Sequence, residues 1–147
     1  MQQALALARE AEDLGEVPIG AVLVKEGKVI GRGMNRTITD CDPTAHAEIV
    51  ALRNAASNIG NHRLVNTQMY VTLEPCTMCA GALIHARVAN LIFGATEPKA
   101  GAIESTAHVL ANESLNHHIE VIGNICRDEC SGLITGFFRK KREAREK

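Results

Sequence analysis

Short apolar runs rich in β-branched residues alternate with helical patterns along the chain, and no linker or repeat interrupts the alternation. Residues 2–14 predict a first helix that ends at Gly15, and the apolar run 17–24 predicts a strand buried on both faces. The turn 25–28 and the strand 29–35 then complete a β-hairpin. The remaining predicted elements are helices at 44–57, 75–86, 105–112 (short) and 127–144, and strands at 68–74, 88–95 and 118–123.

This order of elements predicts an α/β fold. A hairpin followed by alternating helices and strands implies a mostly parallel central sheet with helices on both faces. In folds of this kind, functional sites lie at the carboxyl ends of strands, beside the N-termini of the following helices. His46 and Cys76 both stand at such a junction, which makes them candidates for chemistry.

Length and composition narrow the class of protein. With 147 residues the chain is expected to form one domain, residues 1–147. Hydrophobic residues make up 46% but aromatic residues only 3%, so an aliphatic core is expected. No apolar run approaches the ~20 residues of a membrane span, and five cysteines are an odd number that disfavours a disulfide scaffold. We therefore expect a cytoplasmic protein without a membrane segment.

Charge is distributed unevenly along the chain. The net charge is −1, but the last nine residues, 139–147, hold six Lys/Arg and only two Glu, and the rest of the chain is acidic. A basic tail on an acidic body predicts an anionic partner at the tail. A charge run of this kind is also typical of a solvent-exposed helix face, so both interpretations stay open.

Cys76 and Cys79 form a C-x-x-C motif, PCTMC, on the first turn of a predicted helix. The i, i+3 spacing places both sulfurs on one helix face. A helix N-terminus lowers the pKa of a thiol and so favours the thiolate, which is the form that binds metal. Taken alone, the motif is compatible with a redox pair, with half of a four-cysteine zinc site, or with two cysteines packed in a core.

A histidine and a carboxylate stand at the start of another predicted helix, in the sequence DPTAHAEIVAL (42–52). Asp42 is a favourable N-cap and Pro43 a favourable first helical residue. Positions i and i+2 of a helix point ~200° apart, so His46 and Glu48 can face one site only if the helix begins close to them. A buried carboxylate without a partner is costly, so either the two groups are paired by chance or they face something that needs them.

The same residues form a possible metal-ligand set. The imidazole of His46 and the two thiolates of the C-x-x-C motif would leave the fourth position of a zinc ion open, as in catalytic sites. Glu48 would then carry protons beside that position. A structural zinc site would instead require a fourth protein ligand, such as Cys41 or His85.

The combination of H-x-E with P-C-x-x-C is the signature of the zinc-dependent deaminases. Here it stands as HAE (46–48) and PCTMC (75–79), and the wider chain resembles the bacterial tRNA-specific adenosine deaminases. The similar stretches cover most of the chain. They are EVPIGAVLV (16–24), DPTAHAEIVALR (42–53), YVTLEPCTMCAGALIHARV (70–88), FGA (93–95) and DECSGLITGFFRKKR (128–142).

This resemblance implies a three-layer α/β/α, cytidine-deaminase-like fold with a mixed five-stranded sheet, a homodimer, and one zinc ion per subunit. It implies hydrolytic conversion of adenosine to inosine at the wobble position in the anticodon stem-loop of tRNA. The residues that it carries over are the zinc ligands His46, Cys76 and Cys79, the catalytic proton shuttle Glu48, and the substrate contacts Asn35, Ile19, Ala47, Asn116, His117, Phe137, Phe138 and Arg139. Glu104 departs from the family pattern, because a glycine is expected at its position in the 99–105 loop.

A second interpretation is a free-base or nucleotide deaminase of the same superfamily, acting on guanine, cytidine or a related ring. Such an enzyme would share every catalytic residue. The basic tail beside Phe137 and Phe138 favours RNA, because aromatic rings stack on bases and Arg or Lys side chains contact phosphates.

Overall fold

The computed structural model describes residues 1–147, and it confirms the predicted order of the main elements. The short helix predicted at 105–112 is reduced to a single 3₁₀ turn, Val109–Ala111. The helices are α1 (Gln2–Asp13), α2 (Ala47–Ile59), α3 (Thr77–Ala86) and α4 (Arg127–Arg145), and the strands are β1 (Gly20–Lys25), β2 (Lys28–Met34), β3 (Thr67–Leu73), β4 (Asn90–Ala95) and β5 (Glu120–Ile122).

A two-residue turn closes the β1–β2 hairpin. Glu26 and Gly27 both have positive φ angles, 51° and 75°, as a type I′ turn requires. This turn matches the right-handed twist of the two strands and so fixes their register, in which Lys25 pairs with Lys28 and Gly20 with Met34.

The sheet is mixed, with the strand order β2-β1-β3-β4-β5. β1 is antiparallel to both β2 and β3, whereas β4 is parallel to both β3 and β5. The mixed five-stranded sheet is therefore confirmed. Four of the five strands, β2 to β5, run in the same direction, as expected for a mostly parallel sheet, and β1 alone runs opposite to them. The crossover through α2 makes β3 parallel to β2 but places it on the far side of β1.

Helices cover both faces of the sheet, which confirms the three-layer α/β/α arrangement. On one face, small residues of α2 and α3 pack on Leu23, Met69 and Phe93 to form the main core. On the other face, α1 contacts β1 and α4 contacts β4. None of the four helices combines the length and the apolar composition that a membrane span requires.

Glycine allows α2 to approach the sheet closely. A Cβ atom at Gly33 of β2 would collide with the main-chain oxygen of Ala47, and one at Gly31 would lie 2.5 Å from the oxygen of Ala51. The absence of side chains at these positions brings the first turn of α2 down onto the end of β2. That contact positions the start of α2, and with it His46.

Candidate active site

One edge of the sheet gathers the carboxyl ends of β2, β3 and β4 with the amino end of β1. The N-termini of α2 and α3 open at this edge. His46 and Cys76 are the N-cap residues of these two helices, both in extended conformation, and neither side chain caps its own helix. The two side chains meet instead, with Cys76 Sγ 3.5 Å from His46 Nδ1.

The start of α2 differs from the prediction. Asp42 is not the N-cap, because its Oδ1 accepts hydrogen bonds from the N–H and hydroxyl of Thr44, at 2.8 and 2.7 Å. This local Asx turn ends before the helix begins, and α2 starts at Ala47 rather than near residue 44. The shift places His46 outside the helix and Glu48 on its first turn, so the two side chains can reach the same site despite their i, i+2 spacing.

The three candidate ligands fit a metal ion of the zinc type. Cys79 Sγ lies 3.6 Å from His46 Nδ1, and the ligand atoms of His46, Cys76 and Cys79 all lie within 4.8 Å of one another. Sulfur and nitrogen ligands at ~2.3 and ~2.0 Å from a tetrahedral zinc ion are about 3.5 Å apart, which agrees with both sulfur–nitrogen distances. The cluster has no fourth protein ligand, so the arrangement is that of an open site.

Hydrogen bonding within the cluster shifts the pKa values of the two thiols in opposite directions. The hydrogen bond from Cys79, together with that from His46, lowers the pKa of Cys76 to about 4 despite partial burial. The pKa of Cys79 is raised, because its thiol donates to Cys76 and because it is buried. Both shifts favour the thiolate form of Cys76, which is the form that binds a metal ion.

Glu48 is a buried carboxylate beside this cluster. Only 4% of the residue is exposed, and burial raises its pKa to about 7. A pKa near neutrality suits a group that both accepts and donates protons. This side chain lines the same cavity as His46 and Cys76.

The cavity has a volume of about 220 Å³, below the ~300–1,000 Å³ of pockets for drug-sized ligands. Its size suits a single ring system rather than a whole nucleotide. Apolar side chains form most of its wall, and polar side chains form the rest. The lining residues are Val17, Ile19, Asn35, His46, Glu48, Leu73, Glu74, Cys76, Glu97, Ala100, Ile134 and Phe138.

Asn35 and Ala47 are linked directly. Asn35 lines the cavity, and its Oδ1 accepts a hydrogen bond of 2.9 Å from the main-chain N–H of Ala47. Because an N–H must meet an oxygen, this bond fixes the orientation of the amide and leaves the NH₂ group as the donor toward the cavity. Ala47 is fully buried, and its N–H is already used by Asn35.

The aromatic pair of α4 divides between core and cavity. Phe137 is buried, whereas Phe138 is 43% exposed and lines the cavity mouth. Their rings pack edge to face with centroids 5.3 Å apart. Arg139 is exposed and lies outside the cavity lining.

Asn116 and His117 lie at the opposite edge of the sheet. His117 Nε2 donates a 2.6 Å hydrogen bond to the main-chain oxygen of Val88, just before β4, and β5 begins three residues later. The residues before two parallel strands share the amino edge of the sheet, whereas the cavity lies at the carboxyl edge. The structure therefore does not bring these two residues to the site.

A basic groove, defined by Lys99, Lys141, Arg142 and Arg145, adjoins the cavity. It shares Ile134 and Phe138 with the cavity wall, together with Glu97 and Ala100. The composition of the tail predicted a basic segment as a whole, without separating the residues that line the groove from the others. The signal was available, because positions 138, 141, 142 and 145 have the i, i+3, i+4, i+7 spacing of one helix face.

Known proteins are similar to this chain in sequence and fold. A family model of the MafB19-like deaminases matches residues 1–142. The tRNA-specific adenosine deaminase of Haemophilus influenzae is 52% identical over 99% of this chain and 85% of its own length. A solved structure from a study of A-to-I editing by tRNA:A34 deaminases at the wobble position is 45% identical, with a TM-score of 0.88 over 90% of this chain and 96% of that one.

Guanine deaminase from Bacillus subtilis is a more distant solved relative. It is 30% identical, with a TM-score of 0.65 over 97% of this chain and 90% of its own. The identity to the adenosine deaminases is thus clearly higher at similar coverage. This chain belongs to the deaminase family and, within it, to the tRNA-specific adenosine deaminases.

Proposed function

We propose that this protein converts adenosine to inosine at the wobble position of tRNA anticodons by zinc-dependent hydrolytic deamination. The observation that carries the proposal is the open His46, Cys76 and Cys79 cluster beside the buried Glu48, in a cavity of base size. Two relatives, 52% and 45% identical in sequence, are named for this activity on tRNA.

In this reaction, water adds to C6 of adenine and the C6 amino group leaves as ammonia, so that C6 becomes a carbonyl carbon. A zinc ion held by the three ligands would supply a water activated near neutral pH. Glu48 accepts the proton of that water, transfers it to N1 of the ring and returns a proton to the departing amine. A pKa of about 7 lets one carboxyl group serve in both directions.

The cavity wall orients the base. The free NH₂ group of Asn35 can donate only to an acceptor of the base, since its oxygen is held by Ala47. The apolar side chains of Ile19 and Ile134 exclude water from the ring. At the mouth, the exposed ring of Phe138 offers a surface on which an unpaired base can stack.

The basic groove supports an RNA substrate rather than a free base. Lys141, Arg142 and Arg145 follow Phe138 on one face of α4, and Lys99 of the 97–105 segment lines the same groove. Phosphates that flank a base inserted into the cavity would lie along this groove. Lys140, by contrast, is paired with Glu12 at 3.3 Å and lies outside the groove lining.

We further infer that residues 1–147 form a single domain, that the protein acts in the cytoplasm as a homodimer, and that each subunit holds one zinc ion. The family resemblance supports the dimer. An exposed apolar groove between α2 and α3, lined by Leu52, Ala56 and Ala82 among others, also supports it. Sedimentation equilibrium measures the assembly, and a protein that remains monomeric at micromolar concentration would contradict it.

Sequencing of total tRNA before and after incubation with the enzyme tests the substrate. Inosine appearing at the first anticodon position supports the proposal. A parallel assay with free adenosine, guanine and cytidine tests the alternative of a free-base or nucleotide deaminase. Activity on one of these small molecules, with none on tRNA, would contradict the proposal.

A further inference from the structure

Glu74 carries more hydrogen bonds than any other side chain of the protein, yet it has no part in the deamination steps. It is only 3% exposed. Its Oε1 accepts from the main-chain N–H of Glu97 at 3.0 Å and from the hydroxyl of Ser105 at 2.6 Å. Its Oε2 accepts from the main-chain N–H groups of Ile103, Glu104 and Ser105, at 3.1, 2.8 and 3.0 Å.

These bonds tie both ends of the 97–105 segment to a single carboxylate. The segment is wrapped tightly, because a Cβ atom at Gly101 would collide with the carboxyl group of Glu74. The N–H of Ala102 also donates to the main-chain oxygen of Pro75 at 2.8 Å, directly before Cys76. The position of the segment is therefore set by polar contacts to the end of β3.

The segment supplies part of the proposed RNA surface. Glu97 and Ala100 line both the cavity and the basic groove, and Lys99 is the groove cation that does not come from α4. We propose that Glu74 is a positioning residue for the RNA substrate, whose carboxylate fixes the 97–105 segment so that the cavity wall closes and Lys99 faces the groove. This inference rests on the proposed function.

A carboxylate is required for this role, and an amide cannot replace it. Donors surround both oxygens of Glu74, two at Oε1 and three at Oε2. A glutamine would turn its NH₂ group toward one of the two sets, so at least two donors would lose their acceptor in either orientation. Glu74→Gln should therefore release the segment without changing the shape of the side chain.

Glu16 provides a matched control. It is also fully buried, and its carboxylate accepts hydrogen bonds from Ile38 N, from Thr39 N and from the hydroxyls of Thr37 and Thr39. Residues 37–39 line neither the cavity nor the basic groove. Glu16→Gln thus disrupts a similar set of hydrogen bonds to a carboxylate, on a loop that does not contact the proposed substrate.

The test compares wild type, Glu74→Gln and Glu16→Gln, each loaded with zinc. It measures deamination of an anticodon stem-loop over a range of RNA concentrations at two salt concentrations, with zinc content and amide hydrogen exchange at 97–105. For Glu74→Gln we expect faster exchange at residues 103–105 and unchanged zinc content. We expect kcat/KM to fall by up to about 10²-fold, the scale of a 1 Å misplacement, with KM changing more than kcat. The slope of log KM against the log of the salt concentration should fall by roughly 0.7–0.9, because the phosphate contact of Lys99 is lost.

Three results would overturn the inference while wild type remains active on the stem-loop. The first is a Glu74→Gln enzyme whose KM and salt slope match those of Glu16→Gln. The second is loss of zinc as the main defect, which would assign Glu74 to the neighbouring metal site. The third is a kinetic defect with no change in exchange at 103–105. Wild type that is inactive on the stem-loop would instead refute the proposed function itself.

A milder pair of variants covers the case in which Glu74→Gln fails to fold. The Ser105 hydroxyl donates a hydrogen bond to Glu74, and the Thr39 hydroxyl donates one to Glu16, both at 2.6 Å. Ser105→Ala and Thr39→Ala each remove one such bond. We expect a higher KM for Ser105→Ala alone, and equal KM values for both variants would overturn the inference.

Discussion

The basic groove gives a quantitative prediction about salt. Arg142 and Arg145 lie on one face of α4 and line the groove beside Phe138. If each contacts one phosphate, Arg142→Ala/Arg145→Ala removes two contacts. For a single-stranded loop each contact contributes about 0.7 to the slope of log K against log salt, so the slope should fall by about 1.4. Over the fourfold range from about 50 to about 200 mM salt, this makes the loss of affinity about sevenfold larger at the low end.

A second double variant controls for net charge. Arg9→Ala/Arg63→Ala also removes two exposed arginines, but neither side chain lines the cavity or the groove. Fluorescence anisotropy with a labelled anticodon stem-loop, titrated at four or five salt concentrations, gives both slopes. The slope of the groove variant should be shallower than that of wild type, and the slope of the control variant should remain close to the wild-type slope. Equal slopes for the two variants would refute the reasoning, because only the total charge of the protein would then matter.

Two further predictions concern the metal and the stability of the fold. Elemental analysis of protein purified without added metal should find about one zinc per chain, and Cys79→Ala should lose metal and deaminase activity together; retention of zinc by that variant would contradict the ligand set. Glu16 is expected to stabilise the fold in a pH-dependent way: burial on its own raises the pKa of this carboxyl, but hydrogen bonds from Thr39, Ile38 and Thr37 outweigh burial and hold the pKa below its usual 4.5. Its contribution is then fully present above pH 4.5 and is lost as the pH falls through the lower folded-state pKa. Chemical denaturation should show Glu16→Gln to be about 1–3 kcal/mol less stable at pH 7, with the difference shrinking in acid, and a difference that grows in acid would contradict the assignment.

The sequence was most informative where local rules decide the structure. Apolar periodicity and turn residues predicted the main elements, and the strand-to-helix junctions predicted that His46 and Cys76 would share one edge of the sheet. The start of α2 was misjudged because Asp42 is a good helix cap by residue type, yet Thr44 competes successfully for its carboxylate. Such competition between two local motifs depends on a few ångströms of backbone that residue preferences do not describe.

Long-range placement was less predictable. Asn116 and His117 were assigned to the substrate by resemblance, but they precede β5, and the parallel pairing of β4 with β5 carries them to the far edge. Helical spacing places Lys141, Arg142 and Arg145 on one face of α4, but no local pattern encodes the packing of that face beside Lys99 of the 97–105 segment. Glu74 stands directly before the P-C-x-x-C motif, and only the structure shows the five donors that surround its carboxylate.

Single-turnover deamination of an anticodon stem-loop that carries adenosine at the wobble position, by wild type and by Glu48→Gln, tests the central claim most directly. Wild type should convert that adenosine to inosine and leave other adenosines of the loop unchanged. Glu48→Gln should keep its zinc and its fold but react at least ~10²-fold more slowly, the usual scale of general acid–base catalysis. A Glu48→Gln enzyme that deaminates at the wild-type rate would contradict the claim, and so would a wild-type enzyme that leaves the wobble adenosine intact.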